Sequence, residues 1–345
     1  MTAVRTMPID MHHHWIPKGL SEALRARATP PRLITGEDGR QRIDCSFSSL
    51  AQPEGFDDPQ TRLAEMDAHG ITRGVLSLTP VYGIENLPAQ ESLPLCRAFN
   101  DSVSQMCATW PDRFSAFAAL PCANINVATE EFERAMTLPG MIGALVPGDG
   151  FLSAKRAQAF APLLEAANRR GAILMAHYAK LADDPAAPKP DLSDNHGLRI
   201  GTLDMQARLS SNMITFCLTD ALKPYPNLTM MSHNLGGNIP YEVERMDHRS
   251  YMDRPDDELP SKRIRNAKIM VDCNSLAARG IENAVAVYGA DKIVLGTDGT
   301  AFGMKWSQDA IREARISESE KHAILDGNAA GLLAPFIAKL SAAAE

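Results

Sequence analysis

Asp10, His12 and His14 recur at every second position of one short run, so an extended strand turns the three side chains towards one face. Two imidazoles held in that way offer neutral nitrogen ligands, at about 2.0–2.1 Å, to a divalent ion such as zinc. Farther along, His177 closes the run ILMAH, His233 follows TMMS, and Asp298 follows Gly296-Thr297. A histidine pair alone is commonplace on protein surfaces, and these residues gain weight from their position after strand-like runs. Groups at the C-terminal ends of parallel barrel strands meet at one mouth, where the active sites of such barrels lie. The other histidines read as caps or surface groups: His13 alternates away from the metal-facing side, His69 ends a helix before Gly70, and His196, His248 and His322 fall on loops or helices.

The elements that must carry these residues follow from periodicity. Short apolar runs fall at 8–11, 74–78, 114–120, 142–146, 172–176, 228–232, 269–272 and 293–295. Helical patterns between them cover 59–69, 93–110, 128–137, 154–170, 205–225, 281–288 and 307–314. Eight strand–helix units predict an α/β protein, a closed (β/α)8 TIM barrel, with an open doubly wound sheet as the alternative. Runs such as ILMA and IVLG are apolar without alternation, as strands covered on both faces are. Residues 15–58, with Pro30-Pro31 and Asp38-Gly39, read as a small insertion after strand 1, holding a hairpin and placed to act as a lid. The proline-rich stretch 179–200 reads as a long loop after the fifth strand. Ser317 and Glu320 form a capping-box pattern, and residues 315–345 read as a C-terminal helical tail. No repeat or composition shift divides the chain, so residues 1–345 are expected to form a single metal-dependent barrel domain.

The 345-residue chain is 45% hydrophobic and 22% charged, the composition of a globular protein with a sizeable core. A net charge of -7 leaves no basic patch for a phosphate backbone, which argues against nucleic acid and for small molecules as partners. No apolar stretch reaches the roughly 18 residues of a membrane span, and the opening MTAVRTMPID is no signal-peptide core. A cytoplasmic protein with no membrane association is therefore expected. Cysteines at 45, 96, 107, 122, 217 and 273 form no CxxC pair and read as reduced, buried thiols.

Taken as an ordered set, Asp10-x-His12-x-His14, His177, His233 and Gly296-Thr297-Asp298 resemble the amidohydrolase superfamily, in particular the branch related to aminocarboxymuconate-semialdehyde decarboxylase. The likeness extends over nearly the whole chain: Arg62 to Asp67 before Gly70-Ile71, Pro226-Asn227-Leu228, Gly236-Gly237 with Pro240 and Arg245, and Asn328-Ala329. It implies one divalent metal, zinc with manganese as the alternative, held by His12, His14, His177 and Asp298. It also implies His233 as the acid/base catalyst, with Asp298 sharing the proton transfer. Relatives with two metals carry a carboxylated lysine at the end of the fourth strand; here residues 143–147 read GALVP, so one ion is expected.

Arg245 would grip a substrate carboxylate through a fork of hydrogen bonds, and the resemblance implies that it enters a neighbouring subunit's site in a homodimer. A surface salt bridge with Glu242 or Asp247 is the equal alternative. Tyr178, Arg199, Asn274, Phe302 and Trp306 adjoin strand ends and are candidates for substrate binding, with packing or solvation the alternative for each. Asp10 is read as orienting a histidine or the barrel floor. Departures from the branch lie beside the site: a proline soon after the eighth-strand aspartate and a run of glycines after the sixth-strand histidine are replaced by Gly299-Thr300-Ala301 and Asn234-Leu235.

The first expected reaction is non-oxidative decarboxylation of a small unsaturated or aromatic carboxylate. The alternative is hydrolysis or hydration of a lactone, an amide or a C–C bond. An ion with an open coordination position serves either, and a histidine with an ordinary pKa near 6.5 gives or takes the proton. A non-catalytic, metal-stabilised protein is the third reading. The intact ligand set beside an acid/base histidine argues against it, because structural zinc sites are usually closed by four Cys or His ligands.

Overall fold

The structure is a computed structural model, described over residues 7–45, 49–179, 181, 194–274, 276–299 and 303–344. Strand β1 (Ile9–His14) is followed by the short antiparallel strands β2 (Arg32–Thr35), β3 (Gln41–Asp44) and β4 (Ser49–Ala51). Seven more strands follow: β5 (Arg73–Ser77), β6 (Phe114–Ala118), β7 (Met141–Pro147), β8 (Ile173–His177), β9 (Thr229–Ser232), β10 (Ile269–Asp272) and β11 (Ile293–Val294). The eight strands other than β2 to β4 form one parallel sheet in the order β1-β5-β6-β7-β8-β9-β10-β11. Backbone bonds from Met11 N to Leu295 O (2.9 Å) and from Asp298 N to His12 O (2.9 Å) bring its two edges together. The result is the expected (β/α)8 barrel.

Burial on both faces explains the unbroken apolar runs. Met11, Val75, Phe117, Ile142, Ile173, Met175, Met231 and Val294 form an inner cluster, whereas Phe99, Phe114, Phe132 and Leu164 belong to the larger cluster shared with the surrounding helices. The helix Asn328–Ala344 is more than a tail, because its Ala329, Leu333 and Phe336 join the inner cluster. The capping box expected at Ser317 is present, with the Glu320 side chain returning to the Ser317 backbone N–H at 2.7 Å.

Three expectations are corrected. The segment 154–170 is two helices, Ala154–Gln158 and Ala161–Arg170: Phe160 turns into the core, and Pro162, without an N–H, sits in the first turn of a new helix. The helix from Met205 stops at Leu218, where Thr219 becomes extended and its hydroxyl donates to Thr215 O at 2.6 Å. The insertion carries the expected hairpin, β2 and β3, and is larger than expected, adding a helix (Lys18–Arg25) and the third strand β4. Asp38-Gly39 forms its first turn, Gly39 at a φ of +76°. Most of the expected loop 179–200 lies outside the described residues, and its end winds as Arg199–Asp204 into the helix Met205–Leu218. Among the described residues no helix is long and apolar enough to cross a membrane.

Candidate metal centre

Every strand that carries a candidate opens onto the same mouth. β1 supplies His12 and His14, β8 ends on His177, and His233 and Asp298 follow β9 and β11. The Nε2 atom of His14 lies 3.0 Å from Nε2 of His12 and 3.2 Å from Nε2 of His177. Oδ1 of Asp298 is 3.4 Å from His14 Nε2 and 3.9 Å from His12 Nε2. All five residues are buried.

Partners that can accept a proton from Nδ1 stand on the opposite side of each ring. Nδ1 of His12 faces Asp272 Oδ2 at 3.2 Å, Nδ1 of His14 faces Ser77 Oγ at 2.9 Å, and Nδ1 of His177 faces the Tyr178 carbonyl at 2.9 Å. With the protons on Nδ1, three Nε2 lone pairs point at each other, which is unfavourable unless a cation lies between them. Ligand atoms about 2.1 Å from one ion, at angles of roughly 90–109°, sit about 3.0–3.4 Å apart, and the observed nitrogen spacing matches. The donor set therefore fits a divalent ion.

Electrostatics keep the nitrogens available. Burial, helped by His12, holds His177 down to about 3, and burial with the neighbouring imidazoles holds His14 and His233 well below the ordinary histidine value. Burial also opposes charge on His12, but the carboxylates of Asp272, Asp298 and Asp10 together outweigh it and the pKa rises. Burial raises Asp298 against the pull of His12 and Asn274. Mostly neutral imidazoles are the state a metal requires.

His233 stacks on His177 with ring centroids 4.1 Å apart. The Asn274 amide donates to His233 Nε2 at 3.0 Å and to Asp298 Oδ2 at 3.3 Å. His233 Nε2 is the acceptor in this contact, which leaves the proton on Nδ1, an atom with no partner among the described residues.

The loops around these side chains are strained. Asp298 has a φ of +65° and Gly299 one of +67°, and a Cβ on Gly299 would stand 2.6 Å from the His14 carbonyl oxygen. Asn234, Leu235, Gly236 and Gly237 run at φ of 51°, 52°, 68° and 77°. The chain thus keeps a left-handed path through two residues other than glycine, at places where the resemblance led glycine to be expected. Such positions cost on the order of 1–3 kcal/mol each. They are held by the complete burial of Leu235, by Tyr288 Oη donating to Leu235 O at 2.9 Å, and by Asp272 Oδ1 accepting from Asn234 N at 3.4 Å.

Other candidates fall elsewhere. Asp10 turns to His13 Nδ1 at 2.7 Å and to Thr297 Oγ1 at 2.5 Å, because the β1 register slips between Asp10 and His13. His13 points away from the ion-facing side as expected, but the helix Pro59–Ala68 covers that side of the barrel, so His13 is fully buried, not a surface group. The half-buried Tyr178 donates its hydroxyl to Asp204 at 3.2 Å. Arg199 is exposed and bound to Asp194. Arg245 is exposed and makes no ion pair among the described residues, so neither bridge to Glu242 nor to Asp247 forms. Trp306 is 56% exposed on the helix Met304–Glu313, and Phe302 lies outside the described residues. All six cysteines are free and buried, with burial pushing every thiol upward. Asp272 and Ser77 were not singled out from sequence, although each is the last residue of a barrel strand, the position that marked His177.

Comparison with known proteins follows this geometry. The family model described as amidohydrolase matches residues 9–334. Gamma-resorcylate decarboxylase from Rhizobium sp. (strain MTP-10005) is 27% identical over 77% of this chain and 84% of its own. The 2-amino-3-carboxymuconate-6-semialdehyde decarboxylase of Dictyostelium discoideum is 25% identical over 94% and 91%. Among solved structures, a dihydroxybenzoic acid decarboxylase from Polaromonas sp. JS666, with bound manganese and the inhibitor 2-nitroresorcinol, superposes with a TM-score of 0.69 at 21% identity, covering 96% of this chain and 97% of that one.

Proposed function

This chain belongs to the amidohydrolase family, and from that premise we propose that it is a metal-dependent, non-oxidative decarboxylase of a small aromatic or unsaturated carboxylate. The observation that carries the reading is the convergence of three imidazole Nε2 atoms and Asp298 beside a fourth, neutral histidine. The named activities of the relatives favour carbon dioxide release over hydrolysis or hydration.

His12, His14, His177 and Asp298 would hold the ion, and zinc and manganese are the two to test, manganese being the ion bound in the Polaromonas relative. When bound, the ion draws electron density from a substrate oxygen. His233 accepts a proton at Nε2, the atom now shared with the Asn274 amide, and delivers it to the carbon that loses its carboxylate. Asp298, whose carboxyl burial raises, is the second carrier. The electron pair of the broken C–C bond stays on that carbon, the proton takes the place of the departing group, and no redox partner is needed.

Homodimer formation belongs to the same proposal. Tyr241, Arg245, His248 and Met252 follow helical spacing along one face of Ile239–Asp253, all exposed, and an arginine without an ion pair on such a face suits a neighbouring copy. A cytoplasmic location completes the reading.

The test is to measure bound metal and then incubate the protein with aromatic and muconate-like carboxylates, following carbon dioxide and absorbance together. One ion per chain and gas release are expected. Uptake of water without gas would move the assignment to a hydratase or hydrolase, and bound metal without turnover on carboxylates or lactones would restore the non-catalytic reading. His233→Ala should keep its metal and lose turnover; full activity in that variant would defeat the acid/base role.

A further inference from the structure

The groups that face the ion site come from β1 and from the ends of β8, β9 and β11. Beyond Ser77, an apolar arc at the ends of β5, β6 and β7 formed by Leu78, Ala119, Leu120, Leu145 and Pro147 lines a cavity of about 20 Å³. That is room for one water or one hydroxyl group. The cavity adjoins the ligands: Leu78 follows Ser77, which bonds His14 Nδ1, and Pro147 pairs with His177 across β7 and β8. One carboxyl group lines it, that of Glu85, from the turn Ile84–Asn86 after β5. Glu85 is partly exposed as a residue, yet its Oε1 is sealed from solvent and has no hydrogen-bond partner among the described residues. A sealed carboxyl oxygen is unfavourable until a polar group meets it, either a water or a hydroxyl group brought in by a ligand.

We propose that Glu85 is a specificity-determining residue that recognises an oxygen substituent on the substrate ring. The proposal rests on the decarboxylase reading for the nature of the ligand. An aromatic ring lies naturally against the apolar arc while its carboxylate faces the ion, and a ring hydroxyl then reaches the cavity. A neutral carboxyl suits that hydroxyl doubly, since it donates from its O–H and accepts at its carbonyl oxygen. Burial pushes the Glu85 carboxyl up to about 8, so it keeps its proton at neutral pH. The neighbouring Cys96 thiol, pushed up to about 12, and the Cys122 thiol, well above its usual range, are uncharged as well.

The test is calorimetric binding of benzoate and of the 2-, 3- and 4-hydroxybenzoates to manganese-loaded protein. At least one hydroxylated acid should bind about ten-fold more tightly than benzoate, the size of one well-made buried hydrogen bond. Glu85→Leu should shrink that preference to less than about two-fold, and Glu85→Gln, which keeps a donor and an acceptor, should retain most of it. Thermal melting checks that both variants fold. Wild-type protein that binds all four acids equally or none of them, or a Glu85→Leu variant with its preference intact, would overturn the assignment. Because binding needs no turnover, a preference that depends on Glu85 in a protein that releases no carbon dioxide would sink the reaction and leave this inference standing. Gas release with an unchanged preference would do the reverse.

Discussion

Asp272 illustrates how much of the metal centre rests on a group that touches no ion. Its Oδ2 fixes His12 through Nδ1, while its Oδ1 accepts from the backbone N–H groups of Asn234 and Asn274. Asp272→Asn should lower affinity for the divalent ion by about 10–100-fold, the usual weight of such an outer partner, with the far-ultraviolet circular dichroism unchanged. Competition with a chelator measures this, and wild-type affinity would show His12 to be held by packing alone. Glu85 makes a prediction of opposite chemical sign. Its carboxyl lies near 8 in the folded protein against an ordinary 4.5, so the native state binds the extra proton. The contribution is complete below about pH 4.5 and disappears as pH climbs through 8, a loss of roughly 3–5 kcal/mol at most. Denaturant unfolding at pH 5 and pH 8.5 should show a fall for the wild type that Glu85→Gln lacks, and parallel profiles would contradict it. At this scale the sequence was legible where a histidine or aspartate closed an apolar run, as with His177 and Asp298. Asp272 has the same placement, but an aspartate ending a strand has no mark of its own until His12 is seen beside it. Glu85 was invisible because its burial comes from packing between distant segments. His13 was misjudged because the outer side of β1, to which it alternates, is covered by the helix Pro59–Ala68 and not by solvent.

Strained loops connect these side chains to the strands. The left-handed residues Asn234 and Leu235 show that the backbone path after β9 outlives the glycines that would make it easy, provided that Leu235 is locked in the core and its carbonyl is held by Tyr288. Gly299 has no such freedom, since any Cβ there meets the His14 backbone, which cannot yield. Gly299→Ala should destabilise the fold by about 2 kcal/mol or more and also weaken ion binding, because His14 would be pushed away. Unfolding and metal titration on the same sample test both effects, and a variant with unchanged metal affinity would show that His14 is placed by β1 alone. The barrel strands were readable because burial on both faces leaves an unmistakable apolar signature. Helix ends were less so, for Phe160 breaks one helix by a tertiary contact and Thr219 ends another by bonding its own preceding turn. Strand β4, a three-residue stretch with little buried surface, had no pattern to read.

For the molecule as a whole, the ion and the fold should be linked. The proposed ligands come from three separated regions of the chain, and an unfolded polypeptide presents no comparable cluster. Metal at about 100 times its dissociation constant would add roughly 2.7 kcal/mol of stability, raising the melting temperature, and chelation should reverse the change. The gain should shrink on acidification, as protons compete for the imidazole nitrogens. A melting temperature indifferent to metal and chelator would mean that the histidines are preassembled without need of an ion. The helix Asn328–Ala344 adds a consequence of another kind. Its Leu333 and Phe336 stopper the bore of the barrel, yet it comes after all eight strands in the chain. During translation the staves are therefore complete before their cork exists, and the emerging polypeptide carries an uncovered oily throat. Chaperones that hold growing chains have most to guard in that interval, and the bore becomes watertight only when the cork arrives.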